Sequence, residues 1–204
     1  MRFNLIVLIV IFFVVIGAKE KDKYKEKDLV VWSDENKIIW KNYKGKPTNS
    51  TDGAMTCSLI YSKYENSNNN DLIINIRACF LKNESWKREK MPSNYHLNHE
   101  QRHFDITEIF ARRLRKILAD TSFQSISNAK KNIPKLIKDN NKEWDIYQNI
   151  YDKESNHSIN IEKQTLWNKR IDDELNQLSD YKSNLISIKE KSAPDKQKTL
   201  IINH

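Results

Sequence analysis

Two rhythms divide the chain. Between residue 29 and Pro92 the apolar residues come in four short or alternating stretches, 29–32, 37–40, 54–64 and 71–81. Pro47, Gly53 and the Asn-rich run 66–70 punctuate them, as turn residues punctuate strands. The last two stretches predict one antiparallel hairpin. In it Ile60, Tyr64, Leu72, Ile74, Ile76 and Ala78 share a face by alternation, the mark of a sheet covered on one side.

After Pro92 the period lengthens to three or four. Ile106, Phe110, Leu114 and Ile117 predict a helix running on from about His99, with Asn94 or Asn98 as its cap. Arg112, Arg113, Arg115 and Lys116 are expected in its last turns, where cations suit the negative end of the dipole. Further helices are predicted over about 141–151 and 161–178, the latter with Leu166 or Trp167, Ile171, Leu175 and Leu178 on one stripe. Strands followed by helices indicate an α+β fold, with helices packed on one face of an antiparallel sheet. Trp32, Trp40, Trp86 and Trp167 sit at apolar positions and are expected to pack in the core.

Length and composition bound this picture. The 204 residues suffice for one domain with tails, here assigned to 29–181. Residues 1–18 read as a signal peptide: Arg2 supplies the positive start, 5–16 an unbroken apolar run, and Gly17 and Ala18 a small-residue cut. The run is shorter than the about 20 residues of a membrane span, so cleavage is expected over retention as an uncleaved anchor. The rest of the chain then lies outside the cytoplasm, secreted or in the periplasm and cell envelope. Residues 19–28 read as a charged linker and 182–204 as a flexible Lys-rich tail. The formal charge of +8 is dispersed among acids, with no basic helix carrying stacked aromatics, so nucleic acid is not an expected partner.

Export permits a disulfide between the two cysteines, Cys57 and Cys79. A hairpin centred on Asn68 would set them directly opposite, about 5 Å apart at Cβ. The bond would be structural, since the chain has no C-x-x-C.

The candidate chemistry lies in "NYHLNHEQRHFDITEIFARRLRKIL", residues 94–118. His99 and His103 bracket Glu100 in the pattern H-E-x-x-H. Residues four apart share a helix face, so two imidazoles can converge on one zinc ion at about 2.0–2.1 Å. The glutamate, about 100° round the helix, can take a proton from a water on the metal. With five histidines and thirteen glutamates, chance supplies this pattern in roughly one such chain in a hundred. A catalytic site needs a third ligand and an open position. No histidine follows six residues after His103, and His96 falls at or before the helix cap. His157, in "YDKESNHS", is the expected third ligand, with Asp152 and Glu154 of the same loop as carboxylate alternatives. Asp105 and Asp152 are candidates to orient an imidazole through its second nitrogen, and Tyr151 to donate to an oxyanion.

The blocks "WKNYKGKP" (40–47), "AMTCSLIYS" (54–62), "ACFLKNESWKRE" (78–89), "LNHEQRHFDITEIFARRLR" (97–115) and "YDKESNHSINIEKQTLWNKRIDDEL" (151–175) carry a resemblance. The sequence is similar to a bacterial family of unknown function described as predicted secreted zinc-dependent proteases. The resemblance implies a zincin-like fold, a single catalytic Zn2+ and a peptide or protein substrate. In this family Y-D-x-x-[ST]-x-H-G recurs, and its histidine corresponds to His157; Ser158 stands where the family has glycine. The implied chemistry has His99, His103 and His157 holding zinc and Glu100 as general base. A zinc-stabilised binding domain without turnover is the rival expectation.

Overall fold

The computed structural model describes residues 15–16, 24–49, 52–65, 71–90 and 93–190. Most of the expected signal peptide, its cut site and residues 191–204 of the expected tail lie outside the described residues. The strands are β1 (Val15–Ile16), β2 (Leu29–Val31), β3 (Ala54–Met55), β4 (Ser58–Glu65), β5 (Leu72–Leu81), β6 (Trp86–Lys87) and β7 (Leu185–Ile188). Three helices, α1 (Asn94–Asp120), α2 (Ile126–Ser155) and α3 (Ile161–Gln177), lie between β6 and β7. Among the described residues no helix is long and apolar enough to cross a membrane.

The sheet is organised around β5. One of its edges pairs antiparallel with the whole of β4, beyond which β1 pairs in parallel with Ser62 and Lys63. Its other edge is shared: β2 takes the Cys79–Leu81 end and β7 the Leu72–Asn75 end. Between them the backbone is satisfied piecemeal. Asn184 accepts from the Ile76 amide at 2.8 Å, the Trp32 amide donates to the Ala78 carbonyl at 3.0 Å, and buried Arg115 donates to the Ile76 carbonyl at 3.1 Å. β3 and β6 form a separate two-stranded ladder.

Alternation does what the sequence predicts for the faces. Ile60, Leu72, Ile74, Ile76 and Ala78 are buried in the main core, and Tyr64 packs against it. The core is closed by Phe104, Ile109, Phe110 and Leu114 of α1, behind which lie Trp144, Tyr147 and Tyr151 of α2 and Trp167 and Ile171 of α3. The opposite sheet face carries a smaller cluster of Leu29, Tyr61, Cys79 and Leu81. The fold is therefore the α+β arrangement expected, an antiparallel sheet packed on three helices.

Several expectations are corrected. The hairpin register is two residues off the predicted one: Cys79 pairs with Leu59, and the Leu81 amide donates to the Cys57 carbonyl. A shift of two preserves every face but moves opposing partners apart. Cys57 and Cys79 are accordingly diagonal and free, and no disulfide joins them. Burial pushes both thiols up to about 12, so neither is a thiolate at neutral pH. Leu185–Ile188, assigned to the flexible tail, is a strand of the sheet, and the domain runs past 181. Part of the expected linker is docked, since Glu26 pairs with Arg77 and Tyr24 packs on the smaller cluster. α1 runs on to Asp120, so Arg112 and Arg115 are buried interior residues rather than last-turn cations.

Candidate metal centre

Ser93 caps α1, its hydroxyl accepting from the His96 amide at 3.2 Å. That start places His96 in the first turn, half-buried and bonded to Ser93, and puts His99 and His103 one turn apart on the face that meets α2 and α3. The two rings are 4.8 Å apart in an edge-to-face arrangement.

The third group comes from α2. This helix continues to Ser155, so Asp152 is a helical residue one turn after Gln148 and faces α1. Its Oδ1 lies 3.3 Å from His99 Nε2 and 2.9 Å from His103 Nε2. One ligand atom from each of His99, His103 and Asp152 lies within 4.8 Å of the others. A buried His99–His103–Asp152 group that could hold a metal ion is thus assembled from two helices.

The far sides of the rings are braced. His99 Nδ1 lies 2.9 Å from Gln164 Oε1 and 2.8 Å from the Tyr151 hydroxyl, and its ring stacks on Tyr151. His103 Nδ1 lies 2.6 Å from Gln148 Oε1. Beyond Asp152 the chain turns through three successive left-handed residues, Asn156 (φ 48°), His157 (φ 51°) and Ser158 (φ 70°). Such backbone costs about 1–2 kcal/mol per non-glycine residue and persists only where the surroundings hold it. Here the Tyr95 hydroxyl, from the first turn of α1, donates to the Ser158 carbonyl at 2.6 Å. The Asn160 amide bonds back to Ser155 at 2.9 Å and Asn160 caps α3.

Electrostatics concentrate on the same atoms. Burial alone would push Asp152 up, yet the His103 and His99 imidazoles hold its carboxyl well below the usual carboxylate range. Burial opposes charge on His103, and the Asp152 carboxylate outweighs it, pushing the ring up to about 9. Glu100 Oε2 is buried without a hydrogen-bond partner among the described residues, and Asp152 Oδ1 has beside it only the two imidazole nitrogens. Buried carboxylate oxygens are rarely left so, because desolvation without compensation is costly. Two imidazole nitrogens and a carboxylate oxygen so converged could hold a metal ion.

The expected site residues separate accordingly. His99 and His103 converge with Asp152, while Glu100, next to His99 on α1, is buried and its charge acts on His103. Asp152, expected to orient a ring, occupies the position of the third convergent ligand. His157 adjoins it at the rim: its Nδ1 is 3.7 Å from Asp152 Oδ1, and its side chain is 44 % exposed. Tyr151 cannot donate to an oxyanion as placed, because its hydroxyl bonds His99 Nδ1, the His99 carbonyl and Gln164 on the buried side. Asp105 orients no imidazole. It accepts from Trp32 Nε1 and Gln101 Nε2, both at 2.8 Å, while Gln101 accepts from the Ile38 amide, so these residues of the motif fasten the N-terminal segment to α1. Glu154 accepts from Trp167 Nε1 at 3.0 Å, away from the site.

Sequence reasoning passed over Gln148 and Gln164. The available signal was Gln148 one helical turn before Asp152, visible only if the helix is carried past Tyr151. Comparison with known proteins leaves the geometry to speak for itself: no family model, curated protein or solved structure matches the chain.

Proposed function

We propose that the protein is an exported zinc-dependent peptidase acting on peptide or protein substrates. The observation that carries the proposal is the pairing of a convergent His99–His103–Asp152 group with Glu100, whose buried Oε2 is uncommitted one residue along the helix. Several structural side chains also hold an unpartnered polar atom, but Glu100 holds an unpartnered carboxylate oxygen, and a carboxylate kept free beside a metal-binding group suits proton transfer. The N-terminal signal-like segment and the likeness to secreted zinc-dependent proteases support the same conclusion. So does the loop: the position where that family carries glycine is Ser158, whose φ is in the glycine-favouring region.

Zinc bound by these three residues would lower the pKa of a water towards about 7 and polarise a carbonyl. The chain's own residues do the rest. Glu100 accepts the proton of the attacking water and delivers it to the leaving nitrogen. His157, on the solvent side of Asp152, is placed to approach an ion or substrate held there.

Metal analysis of the purified protein should find about one zinc per chain, lost in His103→Ala. Glu100→Gln should keep the zinc and lower cleavage of a peptide library about 10²–10⁴-fold. A zinc-loaded wild type that cleaves no member of the library overturns the peptidase assignment in favour of a zinc-stabilised binding domain.

A further inference from the structure

Which nitrogen of each imidazole carries the proton is decided by residues outside the H-E-x-x-H motif. Gln148 lies against His103 Nδ1 through Oε1 because its amide nitrogen is committed elsewhere, donating to the His103 carbonyl at 2.9 Å. A backbone carbonyl only accepts, so the Gln148 amide has one orientation. Gln164 is fixed at one remove: the Tyr151 hydroxyl spends its proton on the His99 carbonyl at 3.2 Å and so accepts from Gln164. Its nitrogen donates to the Tyr151 hydroxyl at 2.7 Å and to Asn168 Oδ1 at 2.9 Å, which turns Oε1 towards His99 Nδ1 at 2.9 Å. Both amide oxygens can only accept, so both rings must present N–H at Nδ1. In the neutral ring the lone pair then sits at Nε2, the atom that faces Asp152 in each case.

We infer that Gln148 and Gln164 are the positioning residues of the metal centre, which lock both imidazoles in the Nδ1–H tautomer with Nε2 free to ligate. The inference rests on the metal-site half of the proposed function and not on peptidase activity. Both residues are buried, and they come from different helices. Gln148 rises from α2 behind His103, and Gln164 rises from α3 behind His99. α3 therefore belongs to the site although it supplies no ligand, and the site is pre-shaped only when both helices are docked. Amides rather than carboxylates hold the rings, so the bracing adds no negative charge behind the ligands. Asp152 remains the one carboxylate of the convergent group. Tyr151 extends the brace, because it accepts from Gln164 and its hydroxyl reaches both His99 Nδ1 and the His99 carbonyl.

The test compares zinc affinity and ring chemistry in the full chain. Gln148→Leu and Gln164→Leu should each weaken zinc binding about 10–100-fold, measured by competition with a chromophoric chelator. Gln148→Glu, which keeps an acceptor against Nδ1, should recover most of that loss. Long-range 15N–1H NMR of the zinc-loaded wild type should show both rings metallated at Nε2 and protonated at Nδ1. In Gln148→Leu the His103 Nδ1 proton should exchange faster with solvent, a change that mere loss of packing would not give. Zinc affinity within twofold of wild type in both leucine variants overturns the inference, as does zinc on Nδ1 of either ring or a wild type that binds no zinc. If a leucine variant fails to fold, the wild-type NMR assignment and Gln148→Glu still decide. Tight zinc binding with the expected tautomers but no hydrolysis would sink only the peptidase assignment.

Discussion

α1 carries two buried clusters of charge, little more than a turn apart, that are built to opposite ends. In the second, Glu108, Arg112 and Arg115 are almost wholly buried. Glu108 Oε1 accepts from Arg112 Nε at 2.8 Å and Oε2 from Arg115 Nη2 at 3.1 Å. The remaining guanidinium donors reach the carbonyls of Leu175, Ile76 and Tyr181 and the side chain of Asn184. Charge there is saturated with partners. In the first cluster His99 and Glu100 are buried and His103 and Asp152 half-buried; Glu100 Oε2 has no donor, and Asp152 Oδ1 faces only imidazole nitrogens. Burial and charge are common to both clusters, so neither identifies a site. What separates them is the remainder: a closed network holds helices to a sheet, and an open one leaves room for a metal ion.

The comparison can be broken most forcefully at Glu108. Glu108→Ala leaves two buried guanidinium groups without their carboxylate, and stability to urea should fall by about 3–5 kcal/mol. Zinc affinity of the fraction that remains folded should be unchanged, because no atom of that network touches the metal-binding group. A smaller effect sharpens the other half. Zinc at about 100 times its Kd should raise the unfolding free energy of the wild type by about 2.7 kcal/mol, and should leave His103→Ala unmoved. At a fixed zinc concentration that gain should grow as pH rises towards 9. His103 is pushed up to about 9 in the metal-free protein, and zinc must expel its proton. In the metal-free protein the same pair has its own signature. The His103 contribution is complete below about 6.5, the ordinary value, and disappears as pH climbs through about 9. The Asp152 contribution is present above its ordinary value of 3.8 and is lost as pH falls below it. Urea midpoints across pH read both limbs, and a profile flat from pH 6 to 10 would contradict the ion pair. The smallest effect belongs to the turn beside the site. Ser158→Gly relieves left-handed backbone at a cost in unfolded-state entropy, for a net gain of about 0.5–1 kcal/mol. Loss of stability instead would show that the Ser158 side chain, and not only its φ, holds the turn.

The features legible in the sequence were those written in a local period. The covered face of the hairpin follows from alternation, and the alignment of His99 with His103 follows from the helix repeat. The hairpin register was not legible, because pairings two residues apart bury the same face, and only the paired structure decides that Leu59 opposes Cys79. α2 was recognised over only part of its length. Pro134 and the polar pair Asn140 and Asn141 interrupt its apolar stripe, and only the structure shows Asn140 spending its amide on the Phe110 carbonyl. That shortened helix had a chemical consequence. A helix ending at Tyr151 leaves Asp152 in a loop with His157 and Glu154, where His157 is the expected ligand and the two carboxylates only its alternatives. Extending it to Ser155 gives Asp152 a fixed direction towards His99 and His103. The bracing glutamines were hidden for a different reason: Gln148 and Gln164 act across helices, and no spacing along one strand of text encodes that.

The shared edge of β5 has a consequence in time. Leu29 and Ile188 both pair with that one strand, at its two ends, and Arg115 bridges the gap by reaching Ile76 on one side and Tyr181 and Asn184 on the other. Contacts of such sequence separation are entropically the last to close. A ribosome or translocation pore that has released the chain only as far as α3 has therefore released a molecule with its sheet open along one side and its buried arginine half-dressed. Completion waits on β7, so a chain cut short before Leu185 should linger as an unfinished form rather than a smaller version of the finished one.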